Sequence, residues 1–331
     1  VYKGMAHTPV ATEIFRMADL EINRSISIPG PGSNYQTFTG LGIMSFGGFE
    51  RLDSAYLKAG SLQLSVSAPG LVADGYGALV IVSIPESQGA DGEPISASFP
   101  LGGSATIDLS GADIHFYGHD ARHNLFNFPY EVLVTGSGNP AGAPWEMTFN
   151  HQFSSIEYTH LFGYFAWPKF AFETNEFNLG FFENSLGGKL FFEDPELKFR
   201  VNNSFGLPLM STFSEFYFSG PDGDEQLTGF PQGMMLNFPP LTDVGGSAQT
   251  EYVMNRQNSN LKSLLDKQPG LFTFKLEVEG DSHASNHYFV TEDSRADMEV
   301  ELHLPFRGMS ENYIVRDTSP IDCGDCIHEK V

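Results

Sequence analysis

Apolar and polar residues alternate along most of the chain with a period of two, the spacing that sends successive side chains to opposite faces of a strand. Ser61-Leu62-Gln63-Leu64-Ser65-Val66-Ser67 alternates cleanly, as do Tyr130 to Val134, Lys198 to Val201, Phe272 to Val278 and Met298 to Leu304. Each run is one strand long. Gly and Pro, 35 and 20 of the 331 residues, punctuate the intervals, the rhythm of an all-β protein. One helix is predicted, over Ser259 to Lys267, with Asn258 or Ser259 as cap and Gln268-Pro269-Gly270 as stop. It is short enough to be a connector.

The alternation also hints at a diverged duplication. Leu62-x-Leu64-x-Val66 is echoed by Leu197-x-Phe199-x-Val201, the acidic Gly turn Asp91-Gly92-Glu93-Pro94 by Pro221-Asp222-Gly223-Asp224, and the strand closing on Gly136 by the one closing on Gly280. This predicts two tandem antiparallel β-sandwich domains, 57–162 and 189–317. An extended N-terminal arm covers 1–56, and a tail covers 318–331. The segment between the sandwiches, 163–188, carries Tyr164, Phe165, Trp167, Phe170 and Phe172. A flexible linker would be Gly/Ser-rich, so this one is expected to be packed, either as a buried hinge or as an aromatic strip for a partner or ligand.

Several segments resemble known families. Val201-Asn202-Asn203-Ser204-Phe205-Gly206-Leu207-Pro208-Leu209 is similar to the strand, Asn-turn, Leu-Pro-Leu element of late-embryogenesis-abundant type 2 sandwiches. Leu57 to Leu62, Asn258-Ser259-Asn260-Leu261 to Gln268-Pro269, Phe289-Val290-Thr291-Glu292-Asp293-Ser294 and Glu299 to Pro305 with Arg316-Asp317-Thr318 resemble uncharacterised cell-envelope lipoproteins of Bacteroidota. That resemblance covers most of 50–318. It implies an all-β fold and a place in the cell envelope, outer membrane associated, periplasmic, on the surface or extracellular. It implies no activity. Val1 is not followed by a charged and then an apolar stretch, which leaves a signal or lipid-attachment Cys to lie upstream.

Composition narrows the partners. Lys and Arg number 18 against 41 Asp and Glu, a formal charge of −23 that repels nucleic acid and anionic headgroups. No stretch reaches the roughly 18 uninterrupted apolar residues of a spanning helix. Phe dominates the rings, 30 against 12 Tyr and 2 Trp, and Phe, with no polar handle, builds cores first.

Candidate chemistry is sparse. His115, His119 and His123 could meet on a metal with Asp113 or Asp120. A spacing of four gathers ligands on a helix, whereas Gly111, Gly118 and the alternation of Thr106 to Leu109 argue for strand and loop, where the same histidines are solvated. His283 and His287 repeat the spacing. Cys323 and Cys326 are ringed by Asp322, Asp325 and Glu329, which disfavours a reactive thiolate. A local disulfide, idle thiols or a shared metal are the readings left. Acidic turns such as Pro221 to Glu225 could hold Ca²⁺ or be plain hairpin turns; no other cofactor is expected. Gly-x-Ser-x-Gly, phosphate-cradling and His-Glu-x-x-His motifs are absent. The sequence therefore predicts a non-catalytic structural or accessory protein of the envelope that docks on another protein, with an outer-membrane assembly as the natural partner, through long strand edges and the aromatic segment. A carbohydrate-binding module and a carrier of hydrophobic ligands are the alternatives.

Overall fold

The structure, a computed structural model, describes residues 1–17, 19–28, 35–43, 51–119, 122–136, 141–166, 168–183, 185–280, 287–305 and 307–315. The chain opens with β1 (Tyr2–His7) and the four-residue α1 (Ala11–Ile14). A first body follows: β2 (Leu20–Ile28), β3 (Tyr35–Ile43), β4 (Arg51–Ser67), α2 (Pro69–Ala73), β5 (Gly77–Gln88), β6 (Pro94–Pro100), β7 (Ser104–Asp108), β8 (Asp113–His115), β9 (Tyr117–His119), β10 (Arg122–Thr135) and β11 (Trp145–Tyr164). The second begins with β12 (Lys169–Ala171), β13 (Asn175–Asn178), α3 (Gly180–Glu183), β14 (Ser185–Phe192), β15 (Glu196–Asn203), β16 (Leu209–Gly220), β17 (Gly223–Gln226), β18 (Met234–Leu236) and β19 (Ala248–Met254). It closes with α4 (Leu261–Leu265), β20 (Leu271–Gly280), β21 (Tyr288–Thr291), β22 (Ala296–His303) and β23 (Gly308–Val315). Every alternating run named above is strand, the last as far as His303, the pairing among the described residues is antiparallel, and the fold is an all-β sandwich fold. The connector helix is shorter than its pattern, five residues instead of nine; ahead of it the Ser259 hydroxyl donates to the Asn255 carbonyl and the Asn260 amide to the Gln226 carbonyl of β17. No described helix is long and apolar enough to cross a membrane.

In the first body one sheet runs β2-β11-β4-β8-β5-β10-β3 and turns back on itself through a single β8–β5 pair, Gln88 opposite Asp113. Tyr130 on β10 and Phe149 on β11 have ring centroids 4.2 Å apart although those strands share no ladder, so they face one another across a sandwich. Strand β11 buries Trp145, Met147, Phe149, His151 and Phe153 in strict alternation, then Ile156. The phase slips where the register shifts at Ser154 and Ser155 takes a positive φ of 54°, the signature of a bulge.

The second body packs a four-stranded sheet, β1-β22-β15-β19, on a sheet ordered β12-β20-β16-β17. Phe199 of β15 crosses the interface to Phe213, Phe216 and Phe274, with centroids at 5.2, 5.6 and 6.4 Å. Residues expected as an extended arm are strands of both bodies: β1 pairs with β22, while β2 pairs with β11 and β3 with β10. The chain therefore starts in the second body, crosses to the first and returns.

Strand β21 ties the two together. It pairs with β11 from His160 to Gly163, and on its other side Phe289 bridges to Gly206. Phe289 and Val290 are fully buried, one face of the strand being covered by each body. Gly206 is required here, because a Cβ would lie 2.2 Å from the Phe289 ring.

Candidate functional site

Strands β15 and β22 form a ladder that does not stop at their ends. Glu193 and Arg307 continue it, the Glu193 N–H donating to the Arg307 carbonyl at 3.0 Å, and β14 and β23 resume pairing beyond. Pro195 and Pro305, which lack a donor, fall at this bend. The β14–β23 pair thus leaves the sandwich as a two-stranded ribbon. Gly188 allows its tight twist: it takes a φ of 81°, and a Cβ there would lie 2.2 Å from the Asn312 backbone.

The two edges of the ribbon differ. Gln268, itself at a φ of 60°, presents its amide to β14 as a strand would: the Leu190 N–H donates to Oε1 at 3.0 Å, and Nε2 donates to the Leu190 carbonyl at 2.6 Å. At Leu190 that edge is closed. Because the backbone groups of Leu190 point toward Gln268, its pairing with Ser310 is the non-hydrogen-bonded kind, so the N–H and C=O of Ser310 also point away from the ladder. Along β22, β1 runs only as far as Tyr2, opposite Leu302. Beyond that, among the described residues, no strand pairs with the outer edge of β23.

Beside this open edge lies a groove of about 490 Å³ lined by Tyr2, Leu190, Phe192, Leu304, Pro305 and Met309, with Arg307 also on its wall. Met309 is 73% exposed and Ile314 57%, so apolar side chains stand in water along an unpaired strand edge. Chemically this is a surface for adding a strand: backbone groups to pair, and an apolar trough for alternate side chains.

The residues singled out from sequence lie elsewhere. The aromatic strip is corrected: Tyr164, Phe165 and Phe172 are buried at 7, 1 and 1% exposure, and the half-buried Phe170 packs on Phe205 at 5.2 Å. The cause is that β11 runs to Tyr164 and β12 joins β20 through Phe170 and Val278, so the rings fill the junction instead of facing a partner. Trp167 lies outside the described residues. His115 is exposed on β8, its Nε2 3.4 Å from an Asp113 carboxylate oxygen. His119 and His123 are on the adjoining strands β9 and β10, with side chains outside the described residues. Among the described residues no group of three or more His, Cys, Asp or Glu side chains is placed to hold a metal ion. The acidic turn at 221–224 is a hairpin between β16 and β17, with Ser219 opposite Asp224, and Glu225 next to it is held by Lys267 at 2.5 Å. Cys323 and Cys326 lie outside the described residues. Sequence reasoning missed the ribbon and read Gln268 only as a helix stop; the signal available was Pro195 and Pro305, which bound the alternating runs Lys198 to Val201 and Met298 to Leu304 on the side where the ribbon leaves.

No protein-family model matches the chain, and no curated protein matches it. Among solved structures it is similar to a candidate secreted protein from Parabacteroides distasonis, with 9% identity, coverage of 91% of this chain and 99% of that one, and a TM-score of 0.30. PNGase F, a glycosylasparaginase from Flavobacterium meningosepticum, aligns over 86% of this chain and 95% of its own at 10% identity and a TM-score of 0.23. A CBM22-1-CBM22-2 tandem domain of Paenibacillus barcinonensis Xyn10C aligns over 85% and 97% at 9% identity and a TM-score of 0.19. Likenesses this weak carry no argument about activity, and the lipoprotein and late-embryogenesis-abundant resemblances rest on the sequence motifs alone.

Proposed function

We propose that the protein is a non-catalytic accessory protein of the cell envelope, outer membrane associated or extracellular, that docks on another protein by accepting an extended segment of it along β23. The observation that carries this reading is the open β23 edge beside the apolar groove, when the opposite edge of the same ribbon is capped at Leu190 by Gln268. A two-stranded ribbon is marginal in water by itself, and a third strand would stabilise it. The groove suits a peptide better than a carried lipid: a small-molecule site buries roughly 70–90% of its ligand, whereas the Met309 wall is 73% exposed.

Ser310→Pro tests this. Proline removes the outward N–H of Ser310 while leaving the ladder to β14 untouched. The expected outcome is loss of the protein that co-purifies from native membranes, with an unchanged melting temperature. Retention of that partner by the variant, or a bare monomer from both proteins, overturns the reading.

A further inference from the structure

The outer face of the first body beside the junction gathers chemistry that neither the core nor the ribbon uses. Strands β8, β4, β11 and β21 run side by side there, and their registers set two rows: Asp113, Tyr56, His160 and Thr291 in one, His115, Ser54 and Phe162 in the next. Ile114, Ala55, Leu161 and Val290, which lie between the rows, are buried, so both rows face outward, the second only as far as Phe162, because Phe289, next in that row on β21, is buried where it bridges to Gly206. The register passes from Ser54 opposite Phe162 to Leu52 opposite Gly163. Asp53 is therefore the extra residue of a bulge, and it is turned outward as well.

The rings on this face are fixed in orientation. His160 meets Tyr56 edge-on at 6.3 Å and 85°, and lies parallel to Phe162 at 6.4 Å and 11°. Tyr56 remains 45% exposed. Two imidazole–carboxylate pairs accompany it: His115 Nε2 with Asp113 at 3.4 Å, and His287 Nδ1 with Asp53 at 2.5 Å, the second joining the two bodies. The nearby cation Lys58 is already paired with Glu292 at 2.6 Å.

We infer that this face binds a neutral oligosaccharide, with the Tyr56 ring against the apolar face of one sugar and the two His–Asp pairs exchanging hydrogen bonds with hydroxyls. A ligand matched to it must offer an apolar plane and a dense set of uncharged donors and acceptors together. A polyanionic glycan meets a chain of charge −23 and a Lys58 that is already committed. Among the described residues an extended peptide finds no edge on β4, β11 or β21, since β4 and β11 are paired on both sides and β21 lies between β11 and Gly206.

The test uses the full chain on an array of neutral and uronic-acid oligosaccharides of three to eight units, followed by calorimetry with the strongest neutral binder. Neutral glycans should bind. Tyr56→Ala should lose about tenfold in affinity, the scale of one lost aromatic contact, while Tyr56→Phe keeps most of it. Ser310→Pro should bind sugar normally, which separates failure here from failure of the docking reading. A blank array, binding confined to acidic glycans, a Tyr56→Ala variant that binds as tightly as the native protein, or a photo-crosslinker at position 56 that captures a protein instead would each overturn the inference.

Discussion

His151 is 2% exposed in the middle of the first sandwich, hydrogen-bonded through Nε2 to the Tyr130 hydroxyl and packed 4.7 Å from Phe128. Burial pushes the Tyr130 phenol well above its ordinary range, so it stays protonated as this partner. A buried polar group that loses a hydrogen bond costs about 1–3 kcal/mol, and Tyr130→Phe should destabilise the protein by that amount in urea titrations. A change below about 0.5 kcal/mol would mean that the bond contributes nothing. At this scale the alternation identified the inward positions well: Leu62, Leu64, Val66, Val132 and Phe199 are all buried. It could not identify which way Tyr164, Phe165 and Phe172 face, because a run of rings without alternation carries no phase. Nor did it find Tyr56, His160 and Phe162, whose meeting is made by a register between strands about 100 residues apart, a non-local fact.

Elements show the same division. Long strands such as β4 and β20 were legible because one face is wet or their phase is regular. In the four-residue strand β21, Tyr288, Phe289 and Val290 are buried in succession, and a run without alternation has no period to read. Strand β1 was read as arm because its inward positions are Gly4 and Ala6; only the pairing with β22 reveals it. Lys3 on that strand reaches Glu301 at 3.2 Å and Glu299 at 3.3 Å, and Arg200 reaches both carboxylates too. The Lys3 hydrogen bond, with Arg200 adding to it, holds the Glu301 carboxyl below its ordinary value of 4.5. A lowered folded-state pKa contributes stability that is present above the unfolded value and lost as pH falls through the folded one. Lys3→Met should therefore be less stable than the native chain at neutral pH, and the two should converge as pH falls below the ordinary carboxyl value of 4.5. A gap that stays constant over that range would place the effect in packing. The ribbon offers a second check at this scale. Gln268→Ala removes the plug on β14, so the Leu190 amide should exchange with solvent faster while amides of β20 are unchanged; an unaltered Leu190 rate would show that Gln268 does not close that edge.

Across the whole molecule the two sandwiches share one apolar core, which extends from Phe128 and Phe153 in the first body through Phe165 and Phe172 at the junction to Phe272 and Phe274 in the second. Most of the phenylalanines serve that core. The central claim is that the β23 edge is the one that receives a protein. A photoreactive residue placed in turn at Met309, Leu133 and Met210, all exposed, in the native host tests it most directly. Irradiation should capture one defined protein from position 309 and nothing from 133 or 210. Capture from 133 or 210 with none from 309 would contradict the account.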